Sequence, residues 1–178
     1  IIDDLKEDHL SIEAAACALT AFFLLGKENN SSLGNIINST NLKGRCDLVN
    51  DKFLLDVSHN PASVLQLSRY IERNYKKDHK ISAIFGVMQD KDVSEMVQSI
   101  KKHVTKWYAT SPDIERSLSA IDLTGLLSEL VTEEVVPTKS IKEAIDGALV
   151  ESESELVLIF GSFYTISEAF RVIKKLEY

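Results

Sequence analysis

Cysteine is scarce in this chain. The 178 residues hold two, Cys17 and Cys46, far apart and without a CxxC spacing or a neighbouring histidine. That excludes a disulfide framework and a cysteine-built zinc site, and it fits a reducing compartment. Runs of lysine or arginine are missing too, and the formal net charge is −7. An acidic chain without a basic stripe is poorly suited to sequence-independent nucleic-acid binding. The first residues carry no secretory signal pattern. The longest apolar stretch, IEAAACALTAFFLLG (Ile12–Gly26), is too short for a membrane span and includes Glu13 and Thr20. It reads as a buried helix and not as an anchor.

Several catalytic signatures are also lacking. No GxGxxG follows a strand, no GxxxxGK[ST] phosphate loop occurs, and neither a GxSxG elbow nor an HExxH pair is found. Dinucleotide binding of the usual kind, a self-contained ATP site, serine hydrolase chemistry and zinc-protease chemistry are therefore not expected of this chain.

What is present is globular: 44% hydrophobic and 26% charged residues, with no low-complexity tract. The length suits one domain, or one domain plus a fragment. The segment 12–25 predicts a helix apolar on all sides, which needs neighbours on several faces; some of them are expected outside the chain. A stretch rich in Asn, Ser and Gly follows, with a short helix around Leu33–Ile37 and a linker ending near Gly44. The domain boundary is placed there, with residues 1–42 on one side and 43–178 on the other.

Beyond it, continuous apolar runs at 53–57, 81–87 and 156–160 predict buried strands. Weaker strand candidates lie at 46–49, 106–110 and 133–136. Helical spacing recurs between them: Val64, Leu67, Ile71; Val93, Met96, Val97, Ile100, Val104; Leu123, Leu126, Leu127, Leu130; Ile141, Ala144, Ile145, Ala148, Leu149; and Ile166, Ala169, Phe170, Ile173. Strands without in/out alternation, separated by amphipathic helices, belong to a sheet covered on both faces. The fold class is α/β: a doubly wound, mostly parallel open sheet of about six strands. Ligands in such sheets bind beyond the carboxyl ends of the strands.

Four polar segments fall on those ends or on the linker. LKGRCDLV (42–49) offers Arg45, whose planar fork of donors suits a phosphate; a solvated linker arginine is the alternative. LLDVSHNP (54–61) offers Asp56 and His59, with Asn60 as N-cap and Pro61 as first helical residue. Asp56 either accepts hydroxyls, as those of a ribose, or anchors backbone amides. IFGVMQDKDVSEM (84–96) puts Lys91 at a helix N-terminus, where it opposes the dipole unless an anion is held there; Asp90 and Asp92 read as capping residues. LVLIFGSFYTISEAF (156–170) brings Ser162 and Tyr164 to the same rim through Gly161; a plain strand-to-helix turn with a capping serine is the alternative.

The ordered set GR…DxxHNP…DKD…GSxY on this strand pattern resembles the C-terminal domain of the folylpolyglutamate synthase/dihydrofolate synthase family of Mur ligases. The resemblance covers about 43–178, and the helices before it resemble the tail of that family's central ATPase domain. Lys43 stands where proline is common, and Ser58 replaces a small apolar residue.

The resemblance implies an ATP- and Mg²⁺-dependent ligase that adds L-glutamate to reduced folate or dihydropteroate through an acyl phosphate. ATP and Mg²⁺ would be held mainly by an upstream domain of the same polypeptide. Arg45 and Asp56 would serve ATP, while His59, Ser162, Tyr164 and Lys91 would serve glutamate. No catalytic or metal-binding residue is assigned, and the parent enzyme would be cytoplasmic and monomeric. A muramyl-peptide or other Mur-type amino-acid ligase, and a stand-alone α/β nucleotide- or metabolite-binding module, are the alternatives. Arg116 reads either as an anion contact at the rim or as a solvated loop residue.

Overall fold

The protein's structure, a computed structural model, describes residues 12–28, 32–150 and 155–176. Six strands form one sheet: β1 Asp47–Val49, β2 Phe53–Asp56, β3 Ile81–Phe85, β4 Val104–Ala109, β5 Glu134–Pro137 and β6 Leu156–Phe160. Their order is β1-β2-β6-β3-β4-β5. The β1–β2 pairing is antiparallel and the other four pairings are parallel. The helices among the described residues are α1 Ile12–Leu24, α2 Leu33–Ser39, α3 Pro61–Asn74, α4 Val93–Ile100, α5 Ala120–Leu130, α6 Ile141–Val150 and α7 Phe163–Leu176.

Alternate residues of the central strands serve two cores. Leu54, Ala83, Phe85, Leu158 and Phe160 pack with the apolar stripes of α3, α4 and α5. Phe53, Leu55, Ile84, Val157 and Ile159 pack with those of α6 and α7 on the opposite face. Each fully buried aliphatic or aromatic side chain contributes roughly 1.5–3 kcal/mol, so a strand wedged between two helix layers is apolar throughout. This is why β2, β3 and β6 carry no in/out alternation.

The winding places the crevice. From β2 through β3 and β4 to β5 the chain moves one way across the sheet, and right-handed crossovers put α3, α4 and α5 on one face. The β5-to-β6 crossover runs back, so α6 lies on the other face, where α7 also packs. β6 inserts between β2 and β3, and its chain exits toward α7 while both neighbours exit toward α3 and α4. At such a reversal the loops part and a cleft opens beyond the strand ends. Near the ends of β3 and β6, Phe85 and Phe160 stack within the core, with ring centroids 4.5 Å apart.

Three sequence expectations are corrected. Val104 continues the α4 spacing but starts β4, because α4 stops at Ile100 and a 3-10 turn over 101–103 reverses the chain. Val104 is buried in either role, so periodicity alone could not separate them. Leu126 and Leu149 fit helical stripes yet are exposed. The apolar helix α1 buries only Ala15 and Leu19, leaving Leu24 83% exposed; nothing among the described residues covers its remaining faces. No described helix is long and apolar enough to cross a membrane.

Candidate functional site

Asp56 ends β2, and its side chain is 4% exposed. A buried carboxylate without partners would cost more than its apolar neighbours contribute, and Asp56 is fully partnered. Oδ2 accepts the Cys46 N–H at 2.8 Å and faces the Cys46 thiol at 3.5 Å. Oδ1 accepts the Ser58 N–H at 2.8 Å and the Ser58 hydroxyl. Of the two readings of Asp56, the geometry realises the backbone anchor. It ties the segment before β1 to the turn after β2, and the departure at Ser58 supplies one of the ties.

That segment needs unusual backbone. Gly44 has φ +74°, and a Cβ there would come within 3.0 Å of Ile166 on α7 and 3.2 Å of Val57. Cys46 also has positive φ. The Val57 N–H donates to Gly44 O at 2.8 Å. Arg45, between Gly44 and Cys46, is thereby held at the rim, and among the described residues no carboxylate pairs with its guanidinium. Burial first, and the Asp56 carboxylate second, push the Cys46 thiol pKa far up.

The α3 entry is as expected from sequence. Asn60 caps the helix by accepting the Ser63 N–H at 2.9 Å, and its own N–H donates in return to Ser63 Oγ at 3.3 Å. His59 Nδ1 lies 3.0 Å from Val57 O; a carbonyl only accepts, so Nδ1 donates to it and Nε2 stays outside that bond. The imidazole packs against Phe163, centroids 5.7 Å apart, which brings the β2 exit against the first residue of α7.

Gly161 closes the rim. Its φ is +117°, and a Cβ would fall 2.4 Å from Gly86 O and 2.9 Å from the Phe85 ring, so the β6 and β3 exits touch through bare backbone. Ser162 is 3% exposed and caps α7, accepting the Thr165 N–H at 3.0 Å. Phe163 and Tyr164 stand outward, 58% and 47% exposed.

Arg45, Asp56, His59, Ser162 and Tyr164 thus gather around the β2 and β6 exits. Lys91 belongs to the neighbouring β3 exit and pairs with Asp90 at 2.6 Å. That bond is the first cause holding the Asp90 carboxyl below its ordinary range, and it supplies the anion that a lysine before α4 requires. Asp92, not Asp90, caps α4. Arg116 borders a shallow recess of about 520 Å³ with Gln89, Ile114 and Glu115. Sequence reasoning missed Cys46, Gly86 and Thr165 as partners of the site. Only Thr165 left a signal, its place three residues after a capping serine. Among the described residues no His, Cys, Asp and Glu side chains group as a metal site.

The family described as Mur ligase, glutamate ligase domain, matches residues 44–163. The chain belongs to that family. The dihydrofolate synthase/folylpolyglutamate synthase of Buchnera aphidicola subsp. Schizaphis graminum is 31% identical over 93% of this chain and 40% of its own length. The Escherichia coli K12 protein of the same name is 28% identical over 89% and 37%. A solved structure of Escherichia coli FolC in complex with DHPP and ADP superposes with a TM-score of 0.85 at 26% identity, covering 98% of this chain and 42% of that one. The chain of this glutamate ligase domain therefore spans about two fifths of the length of the curated relatives it matches.

Proposed function

We propose that this chain is the C-terminal part of an ATP-dependent ligase that adds L-glutamate to reduced folates and to dihydropteroate. Residues 43–178 form the glutamate ligase domain and residues 1–42 end a central ATPase domain. The observation that carries the reading is the gathering of the GR, DxxHNP and GSxY segments on one rim, at the point where the sheet reverses its winding. The names of the relatives, and the ligands in the FolC structure, point to the same chemistry.

Phosphoryl transfer relies on positioning and charge neutralisation more than on side-chain nucleophiles. Arg45 contacts an ATP phosphate, and Asp56 serves the nucleotide by holding the Gly44–Cys46 loop from which Arg45 reaches. His59, Ser162 and Tyr164 line the glutamate site, with Lys91 attracting its carboxylates from the β3 exit. The donor set fits a nucleotide lid. It does not fit a magnesium site, so Mg²⁺ chemistry is left to the upstream domain. The exposed faces of α1 favour a covering segment in the same polypeptide over a self-sufficient module. The parent enzyme is placed in the cytoplasm as a monomer.

The test is a phosphate-release assay on the full-length polypeptide with ATP, Mg²⁺, folate acceptor and amino acid. L-Glutamate supports turnover, whereas D-glutamate and L-alanine do not. Arg45→Ala raises the KM for ATP about ten- to a hundredfold, as loss of one charge-assisted hydrogen bond requires. Equal use of D-glutamate, or an unchanged KM for ATP, contradicts the reading.

A further inference from the structure

Thr165 is fully buried in the first turn of α7, and its hydroxyl joins two strand exits. Oγ1 lies 2.7 Å from Gly86 O, on the β3 exit, and 2.8 Å from Ser162 Oγ, on the β6 exit. A threonine hydroxyl has one proton, and a carbonyl oxygen can only accept. The Thr165 proton is therefore committed to Gly86 O, and the contact with Ser162 requires Ser162 to donate. Ser162 Oγ meanwhile accepts the Thr165 N–H at 3.0 Å. Its proton and one lone pair are spent, so only a second lone pair remains for anything outside the network.

We propose that Thr165 is a positioning residue that fixes Ser162 as an acceptor toward the amino-acid substrate. The His59 ring, held by the Val57 carbonyl, packs on Phe163, the residue after Ser162. An acceptor at this rim matches an N–H donor, which for an amino acid means its amino group. The carboxylates are left to Lys91 at the β3 exit, as in the proposed function. The inference rests on the reading that Ser162 lines the glutamate site, and it assigns which end of the substrate meets that wall.

The experiment measures the KM for L-glutamate and the Ki of glutarate, which keeps both carboxylates and lacks the amino group, in the full-length polypeptide. Ser162→Ala and Thr165→Val each raise the KM for L-glutamate about two- to tenfold and leave the Ki of glutarate unchanged, while Thr165→Ser restores the wild-type KM. An unchanged KM in Ser162→Ala overturns the placement of Ser162 in the site. An effect in Ser162→Ala without one in Thr165→Val overturns the role of Thr165. Equal weakening of glutarate overturns the assignment of the amino end. Should Thr165→Val not fold, hydroxyl-proton exchange in the wild-type chain decides: slow exchange at both Thr165 and Ser162 supports the network, and fast exchange at both removes it.

Discussion

Asp56 is a charge inside a strand that is otherwise apolar, and its four hydrogen-bonding contacts explain how it is tolerated. The same contacts reach Cys46, whose thiol loses acidity through burial and, second, through the neighbouring carboxylate. Because the thiolate is the reactive species, Cys46 reacts with an aromatic disulfide reagent at pH 8 far more slowly than the exposed Cys17. Asp56→Asn speeds Cys46 but leaves it the slower of the two, since burial is the larger cause. Two equally fast cysteines in the wild-type chain would show that the 44–47 loop is not held as described. At this scale the sequence revealed which residues stand at the strand ends but not which of their atoms are occupied. The partners of Asp56 lie ten residues back at Cys46 and two ahead at Ser58. The network around Thr165 spans 79 residues, a distance that no local pattern records.

Elements were far more legible, because burial on both faces and helix capping are written locally. The run Leu156–Phe160 is a strand with the expected bounds, and Asn60-Pro61 opens α3 as a cap and first-turn proline should. Where an apolar residue satisfies two elements, as Val104 does, pattern was ambiguous and the chain reversal at 101–103 decided. The capping box gives this scale its own expectation. Asn60→Ala lowers the unfolding free energy by about 1 kcal/mol, read as a lower urea midpoint with an unchanged slope. An unchanged midpoint would mean that the α3 entry is held by Asp56 and Ser58 alone.

For the whole molecule, the doubly wound topology followed from the order of strands and helices. The position of β6 between β2 and β3 did not, because strand neighbours are set by crossovers and not by sequence order. That insertion makes the rim. It sets the GSxY exit beside the DxxHNP exit, and it sends their following helices to opposite faces. On the proposed function, a cleft shared with polypeptide upstream would account both for the exposed apolar surface of α1 and for the two-fifths coverage of the relatives.

Calorimetry with ATP and Mg²⁺ on this 178-residue chain, beside the full-length polypeptide, tests that claim most directly. A few charge-assisted contacts, each worth roughly 1.5–3 kcal/mol, do not hold ATP tightly without a phosphate loop. The account predicts weak or undetectable binding to the chain and clear binding to the full-length protein. Submicromolar affinity of the chain alone would contradict it.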